Sequence, residues 1–285
     1  VSGYGEKGPD KDLPGFDFTA FYARGGILGP LRDKNSLPML TVQGFGDHQV
    51  AMNLAAGVLA ALFKAKMTGE GDHVVVSLFH SAIWDISLML QASQYGADST
   101  QYPMERWKLG NPLVLCYETA DGQWLQIAMP QYDRHYPILM NAMGYPELAD
   151  DARYYPQKNL IPNREEFSAW ITAEFKKKTC DEWCKLLDAN DLPYAIAQEW
   201  DSLLEDKQAW ASDCFYEMSY SNGNKRTLVR PPVLFDQMGL PPYERGPYLG
   251  EQTKDILGEL GYSGEAIEEM IKSGAAIDMD PALRD

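Results

Sequence analysis

Positive charge is scarce in this chain. Its 285 residues carry 25 Lys and Arg against 41 Asp and Glu, a formal charge of −16. Repulsion from phosphates therefore argues against general binding to nucleic acid or to anionic membranes, and an anionic ligand needs a local basic pocket. Histidine and cysteine are sparse as well, with 4 of each. Cys116, Cys180, Cys184 and Cys214 are too scattered for a disulfide framework and are expected to be reduced thiols. Cys180 and Cys184 share one turn of an expected helix, but no second Cys or His pair supports a metal site. Thr179 and Glu182 have the spacing of a capping box, which favours packing over ligation. His73 and His80 bracket an expected strand and fall on its opposite faces. No run reaches the roughly eighteen uninterrupted apolar residues of a membrane span, and no charged-then-apolar leader is found. A cytoplasmic location is the resulting expectation. No internal repeat is evident.

The order of elements suggests an α/β chain. Val1-Ser2-Gly3-Tyr4-Gly5 has the look of a strand end entering a glycine loop, so the chain is expected to be a piece of a longer protein. Turn residues from Glu6 to Gly15 lead into a helix over Phe16 to Tyr22, ended by Gly25-Gly26. A loop runs to Asp47. His48 to Lys66 is then a helix whose Ala51, Leu54, Ala55, Val58, Leu59 and Leu62 recur at three and four, and its small residues imply close packing. Thr68 to Asp72 stops it. His73 to Leu78 is an apolar, β-branched run expected to form a covered strand, and a second buried helix is expected from Ser81 to Tyr95.

Tyr102 to Pro112 forms a proline-bounded linker into a small α+β domain. There a hairpin of Leu113–Glu118 and Trp124–Ala128 turns at Asp121-Gly122, with helices at Arg134–Met143, Arg164–Lys177 and Cys180–Leu187. Beyond Ala195 the chain is loop-rich, with stiff links at Arg230-Pro231-Pro232 and Leu240-Pro241-Pro242 and an edge strand at Val233–Phe235. Helices at Thr253–Leu260 and Gly264–Lys272 close it, and Met279–Asp285 is expected to fray. Segments 1–100, 101–195 and 196–285 follow as a large domain, a small domain and a return segment.

The most informative stretch is Gly44-Phe45-Gly46-Asp47-His48, immediately before that apolar helix. Glycines let the chain turn sharply and let a ligand approach, and the free amides at a helix start favour an ionised carboxylate or a developing oxyanion. Asp47 is open to two readings on these grounds, a nucleophile or an ordinary N-cap.

These segments, taken in order, resemble the class III, formyl-CoA transferase-like CoA-transferases, especially the branch acting on 2-hydroxyacyl-CoA and enoyl-CoA esters. The resemblance is carried by Gly3-Tyr4-Gly5 with Gly8-Pro9, Pro14-Gly15-Phe16-Asp17, Gly44-Phe45-Gly46-Asp47-His48-Gln49 and Thr68-Gly69-Glu70-Gly71-Asp72. It continues through Asp121-Gly122-Gln123-Trp124, Pro193-Tyr194-Ala195-Ile196-Ala197 and Leu249-Gly250-Glu251-Gln252-Thr253. It implies a Rossmann-like large domain whose first part lies upstream, an interlocked homodimer of ring-shaped subunits, and CoA thioesters as substrates with no tightly bound cofactor. Asp47 matches the family's catalytic aspartate, which becomes an acyl anhydride and then a CoA thioester. Gly44 and Gly46 would supply its turn.

The related α-methylacyl-CoA racemases carry a histidine where this chain has Phe16, and phenylalanine cannot exchange a proton, which disfavours racemase chemistry. Phe16 would line the acyl pocket or belong to the core; Asp17 would be a supporting carboxylate or a helix N-cap. Arg24, Arg106 and Lys108 would meet CoA or a carboxylate, or simply lie on the surface. Lys108-Leu109-Gly110-Asn111-Pro112 replaces the family's glycine-rich lid with a stiffer loop, so Gly110 and Asn111 would cover the site or form a plain linker. A CoA-ester racemase and an inactive, non-enzymatic fragment are the competing readings.

Overall fold

The longest element, α1 (Phe45–Thr68), begins at Gly44, whose φ of 81° is left-handed, and ends at Gly69 with φ 78°. It starts three residues before the expected His48, because the glycine turn closes one step earlier and draws Phe45, Gly46 and Asp47 into the first turn. In the computed structural model, residues 1–95, 102–103, 105–220, 223–237, 239 and 243–280 are described. The expected link at Leu240-Pro241-Pro242 and the end of Met279–Asp285 lie outside them. The chain divides into two compact units, Val1–Ala197 and Gln198–Asp285.

In the first unit a π-helical segment, Asp17–Ala23, occupies the place of the helix expected at Phe16–Tyr22. Its Ala20, Phe21 and Tyr22 pack with Ile27, Val50, Leu78 and Ala82 in a small cluster. Gly25 closes the segment because a Cβ there would meet the Phe21 carbonyl oxygen at 2.1 Å and Ala82 Cβ at 2.3 Å. Close packing of α1 is not found. Only Gly46 and Val50 are buried, while Leu59 (66%), Phe63 (70%) and Met67 (71%) are exposed. The small residues give α1 a smooth apolar surface, but among the described residues too few elements lie beside it to cover that surface. The same helix is long and apolar enough to cross a membrane, with a mean hydropathy of 1.4 over its best window. Isolated polar residues such as Asn53 interrupt its apolar run without lowering the mean far.

The expected strand at His73–Leu78 forms no ladder among the described residues. It is extended and makes one parallel bridge, Ser2 to Ser77, flanked by Ser2 N–H to Val76 (3.2 Å) and Leu78 N–H to the Ser2 carbonyl (3.1 Å). A strand is defined by its partners, and a β-branched run alone supplies none. His73 and His80 consequently do not flank a sheet; His80 sits in the first turn of α2 (Leu78–Asp85), which Ser77 caps by accepting from the His80 amide at 3.2 Å. The single helix expected from Ser81 to Tyr95 is instead α2, α3 (Ser87–Ala92) and a 3-10 turn, broken at Ile86, whose side chain turns onto the small cluster.

The hairpin around Asp121-Gly122 is present as β1 (Cys116–Glu118) and β2 (Trp124–Ile127), with Gly122 at φ 78°. A third antiparallel strand, β3 (Tyr194–Ile196), adds to β2, giving the order β1-β2-β3. It occupies the Pro193–Ala197 stretch that the sequence placed at the start of a loop-rich region. Against this sheet pack α4 (Tyr132–Met143), α5 (Gln157–Leu160), α6 (Arg164–Phe175) and α7 (Cys180–Ala189). The Thr179–Glu182 capping box is present. Cys180 is buried in the core, where burial and the Cys184 neighbour push its thiol up to about 11.

The second unit holds α8 (Trp200–Leu204), α9 (Lys207–Ala211), an antiparallel pair β4 (Phe215–Ser219) and β5 (Lys225–Val229), then α10 (Thr253–Glu259) and α11 (Gly264–Ser273). Ser263 caps α11 by accepting from the Ala266 amide at 3.3 Å. Val233–Phe235 is not a strand; it is exposed and forms no ladder among the described residues. Helices with sheets agree with the expected α/β class.

Candidate active site

Asp47 is the third residue of α1, one turn past the Gly44 cap. Its carboxylate makes no capping hydrogen bond and is exposed, so the ordinary N-cap reading fails: Gly44 holds that place. Asp47 instead lines a cavity of about 420 Å³. Val50, Ala51 and Leu54 follow it at helical spacing along the same wall, with Leu78 opposite and Ser2, Gly3 and Gly15 closing the side. Gly3 and Gly15 touch backbone to backbone, a Cβ on Gly3 reaching Gly15 Cα at 2.5 Å, so glycine is required for this wall to close. The result is an exposed carboxylate in the wall of a small, largely apolar cavity.

The turn that carries Asp47 is held from below. Asp17, only 5% exposed, accepts from the Gly44 amide at 2.7 Å through Oδ2 and from the Gly46 amide at 3.0 Å through Oδ1. Gly46 is pressed so closely against this pair that an added Cβ would lie 2.3 Å from Phe21 Cγ and 2.4 Å from Asp17 Oδ1. Tyr22 donates to the Val42 carbonyl at 3.3 Å, and burial, with the Asp17 charge, raises its pKa. These bonds alter one expectation. The amides of Gly44 and Gly46 serve Asp17 and are not available to an oxyanion.

Of the expected site residues, Asp47, Gly44, Gly46 and Asp17 come together. Phe16 is 66% exposed, starts the π-helical segment, and does not line the Asp47 cavity. Arg24 is paired with Asp10 and lies over the rings of Tyr4 (5.1 Å) and Phe79 (5.7 Å). Gly110 accepts from Gln157 Nε2 at 3.0 Å, while Asn111 caps a 3-10 turn and donates to the Met129 carbonyl at 3.0 Å. That loop is fastened to the β1-β2-β3 subdomain. Arg106 and Lys108 line a larger cavity, about 650 Å³, that excludes Asp47. Its cations are spent on neighbouring carboxylates: Lys108 on Glu105 at 2.6 Å, Lys176 on Glu118 at 2.7 Å and Arg106 on Asp33 at 3.4 Å. The larger cavity thus holds mostly ion-paired cations, whereas Asp47 in the smaller one makes no ion pair or side-chain hydrogen bond among the described residues. Among the described residues no three His, Cys, Asp or Glu side chains gather as metal ligands.

The sequence reading missed Ala51, Leu54 and Leu78 as cavity walls, although the three-and-four spacing from Asp47 was the signal for the first two. Gly3 and Gly15 were singled out as motif residues without their contact.

Residues 1–253 match the model of CoA-transferase family III. Over 273 residues the chain is 48% identical to cinnamoyl-CoA:phenyllactate CoA-transferase of Clostridium sporogenes, covering 95% of this chain and 66% of that protein. Over 267 residues it is 39% identical to (R)-2-hydroxy-4-methylpentanoate CoA-transferase of Clostridioides difficile, covering 94% and 66%. A CAIB/BAIF family protein from Brucella suis shares the fold with a TM-score of 0.74 at 22% identity, over 91% of this chain and 66% of that one. The chain thus spans just under two thirds of the length of these curated relatives. By the extent of the family match, the chain belongs to CoA-transferase family III.

Proposed function

We propose that this chain carries the reactive carboxylate of a CoA-transferase that moves CoA between a carboxylic acid and an aromatic or branched 2-hydroxyacyl- or enoyl-CoA thioester. The observation that carries the reading is Asp47, uncapped and exposed in the wall of a largely apolar cavity on the first turn of α1. The substrate class rests on similarity to the two Clostridium-type transferases.

The chemistry follows from the position. An Asp47 oxygen attacks the thioester carbonyl; the C–S bond breaks, CoA leaves as thiolate, and a mixed anhydride remains. The thiolate then attacks the aspartyl carbonyl, releasing the donor acid and leaving CoA on Asp47 as a thioester. The acceptor carboxylate displaces that thiolate to give a second anhydride, and thiolate attack on the acceptor acyl carbon restores Asp47. A carboxylate is a weak nucleophile in water, so the recess must hold it in reach of the thioester and keep water from the anhydride. Val50, Ala51, Leu54 and Leu78 provide the apolar wall for this.

In this reading the protein is cytoplasmic, with a Rossmann-like large domain, a small domain over 101–195 and an interlocked homodimer. The exposed face of α1 is covered by protein rather than by lipid. Phe16, in the place where a racemase would need a proton-transferring side chain, keeps racemase chemistry secondary. The uncovered face of α1 favours one further reading, that the 285-residue chain is inactive until the rest of the protein covers it. Asp47→Ala and Asp47→Asn in the full-length protein are expected to lower transfer by about 1,000-fold or more with the fold unchanged. Substantial transfer by a clean Asp47→Ala protein, assayed by the appearance of acceptor-CoA, contradicts the proposal.

A further inference from the structure

The geometry points to Asp17 as a positioning residue for Asp47, an inference that rests on Asp47 being the covalent carrier. A carboxylate that is 5% exposed must be compensated, and here both oxygens are used, one on each of two amides in the same turn. Those amides belong to Gly44 and Gly46, which bracket the first residue of α1 and immediately precede Asp47. The bonds are charge-assisted, and they run from a different segment, Asp17–Ala23, so Asp17 caps a helix other than its own. The turn has restraints of its own: the Phe45 amide donates to the Val42 carbonyl at 3.4 Å, the His48 amide to the Gly44 carbonyl at 3.0 Å, and the Phe45 ring lies 6.4 and 6.3 Å from those of Phe21 and Tyr22. Gly44 is left-handed at φ 81° and carries no side chain, and Gly46 has none with which to anchor. Phe21 and the Asp17 carboxylate together fill the space beneath Gly46. To these a pair of bonds 2.7 and 3.0 Å long to one buried carboxylate adds the hold on the two glycine amides that lead into Asp47. Loss of either bond leaves a turn amide without its partner and loosens the approach to Asp47, and reacting groups tolerate little misplacement.

The test uses Asp17→Asn and Asp17→Glu in the full-length protein. Asparagine keeps the shape and one acceptor, but turns an N–H donor toward an amide. Glutamate keeps the charge on a longer arm. For Asp17→Asn the expected result is a fall in kcat of about 10- to 100-fold with KM within about threefold, because binding is retained while alignment is lost. Hydrogen exchange at the Gly44 and Gly46 amides should accelerate, while the β1-β2-β3 ladder stays protected. Partial recovery in Asp17→Glu is expected if charge, rather than shape, holds the turn. Unchanged kcat in a folded Asp17→Asn protein overturns the inference, as does unchanged exchange at both glycine amides. A general loss of ladder protection, with kcat falling in step, assigns Asp17 to fold maintenance and also overturns it. Substantial transfer by Asp47→Ala would instead fail the Asp47 reading, an outcome separable from the others.

Discussion

A single glycine can decide whether the reactive turn forms. Gly46 faces the Phe21 ring and the Asp17 carboxylate with no room for a methyl group, the nearest atoms lying 2.3 and 2.4 Å from a built Cβ. Neither neighbour is the free end of a flexible side chain: one is a ring carbon in the core and the other is held by two amides. Gly46→Ala should therefore destabilise the protein by about 1–3 kcal/mol through overpacking and lower transfer more steeply than stability, since the displaced groups carry the turn. Denaturant unfolding beside the transfer assay checks this; a variant of wild-type stability and activity contradicts it. At this scale the sequence was informative about Asp47 and its two glycines, whose pattern of turn and apolar helix is local. It left Asp17 ambiguous because its partners, the Gly44 and Gly46 amides, lie 27 and 29 residues away. Arg24 and Asn111 take the surface and linker alternatives open to them. Arg24 pairs with Asp10, and Asn111 is held by the Met129 carbonyl and the Leu113 amide, contacts with residues whose nearness the sequence does not reveal.

Among elements, helices with strong local signals were the most legible. The Thr179–Glu182 box, the Ser263 cap and the Gly69 stop each mark a boundary through a residue and its immediate neighbours. Strands were less so. β3 consists of three residues whose pairing depends on β2, and β4 and β5 pass unnoticed although Asn222-Gly223 between them is a hairpin signal, with Gly223 at φ 81°. Conversely, His73–Leu78 has strand composition without a ladder. Several motifs that carry the family resemblance prove to be scaffolding. Asp121 accepts from Thr119 Oγ1 at 2.5 Å and from the Cys180 amide at 3.2 Å, tying the hairpin to the start of α7. Glu251 accepts from Arg245 at 2.7 and 2.8 Å, which, with the Tyr248 amide, lowers its pKa to about 2. The element whose character is least satisfied is α1. Its Leu59, Leu62, Phe63 and Met67 face outward, and Trp84 and Leu88 on α2 and α3 do the same. Contiguous apolar surface of this kind marks an interface. The isolated 285-residue chain should bind a hydrophobic dye strongly, and the full-length protein weakly, with Phe63→Glu perturbing the full-length assembly. Equal, weak dye binding by both proteins contradicts a covered α1.

At the level of the whole molecule, the family is legible because ordered short motifs survive where no one motif is decisive, and the match over residues 1–253 agrees with that reading. Assembly is not legible in the same way. It depends on surfaces that pair only in an assembly, and the apolar side of α1 is exposed among the described residues. The functional claim nevertheless reduces to one atom-level event, acyl and then CoA transfer onto the Asp47 carboxylate. Incubating the full-length protein with an aryl- or branched-acyl-CoA, trapping with hydroxylamine or borohydride, and mapping the modified peptide by mass spectrometry reads that event directly. A hydroxamate or reduced side chain at Asp47, absent without the thioester, is the predicted result; efficient turnover with the modification at another residue, or with none, would contradict the account.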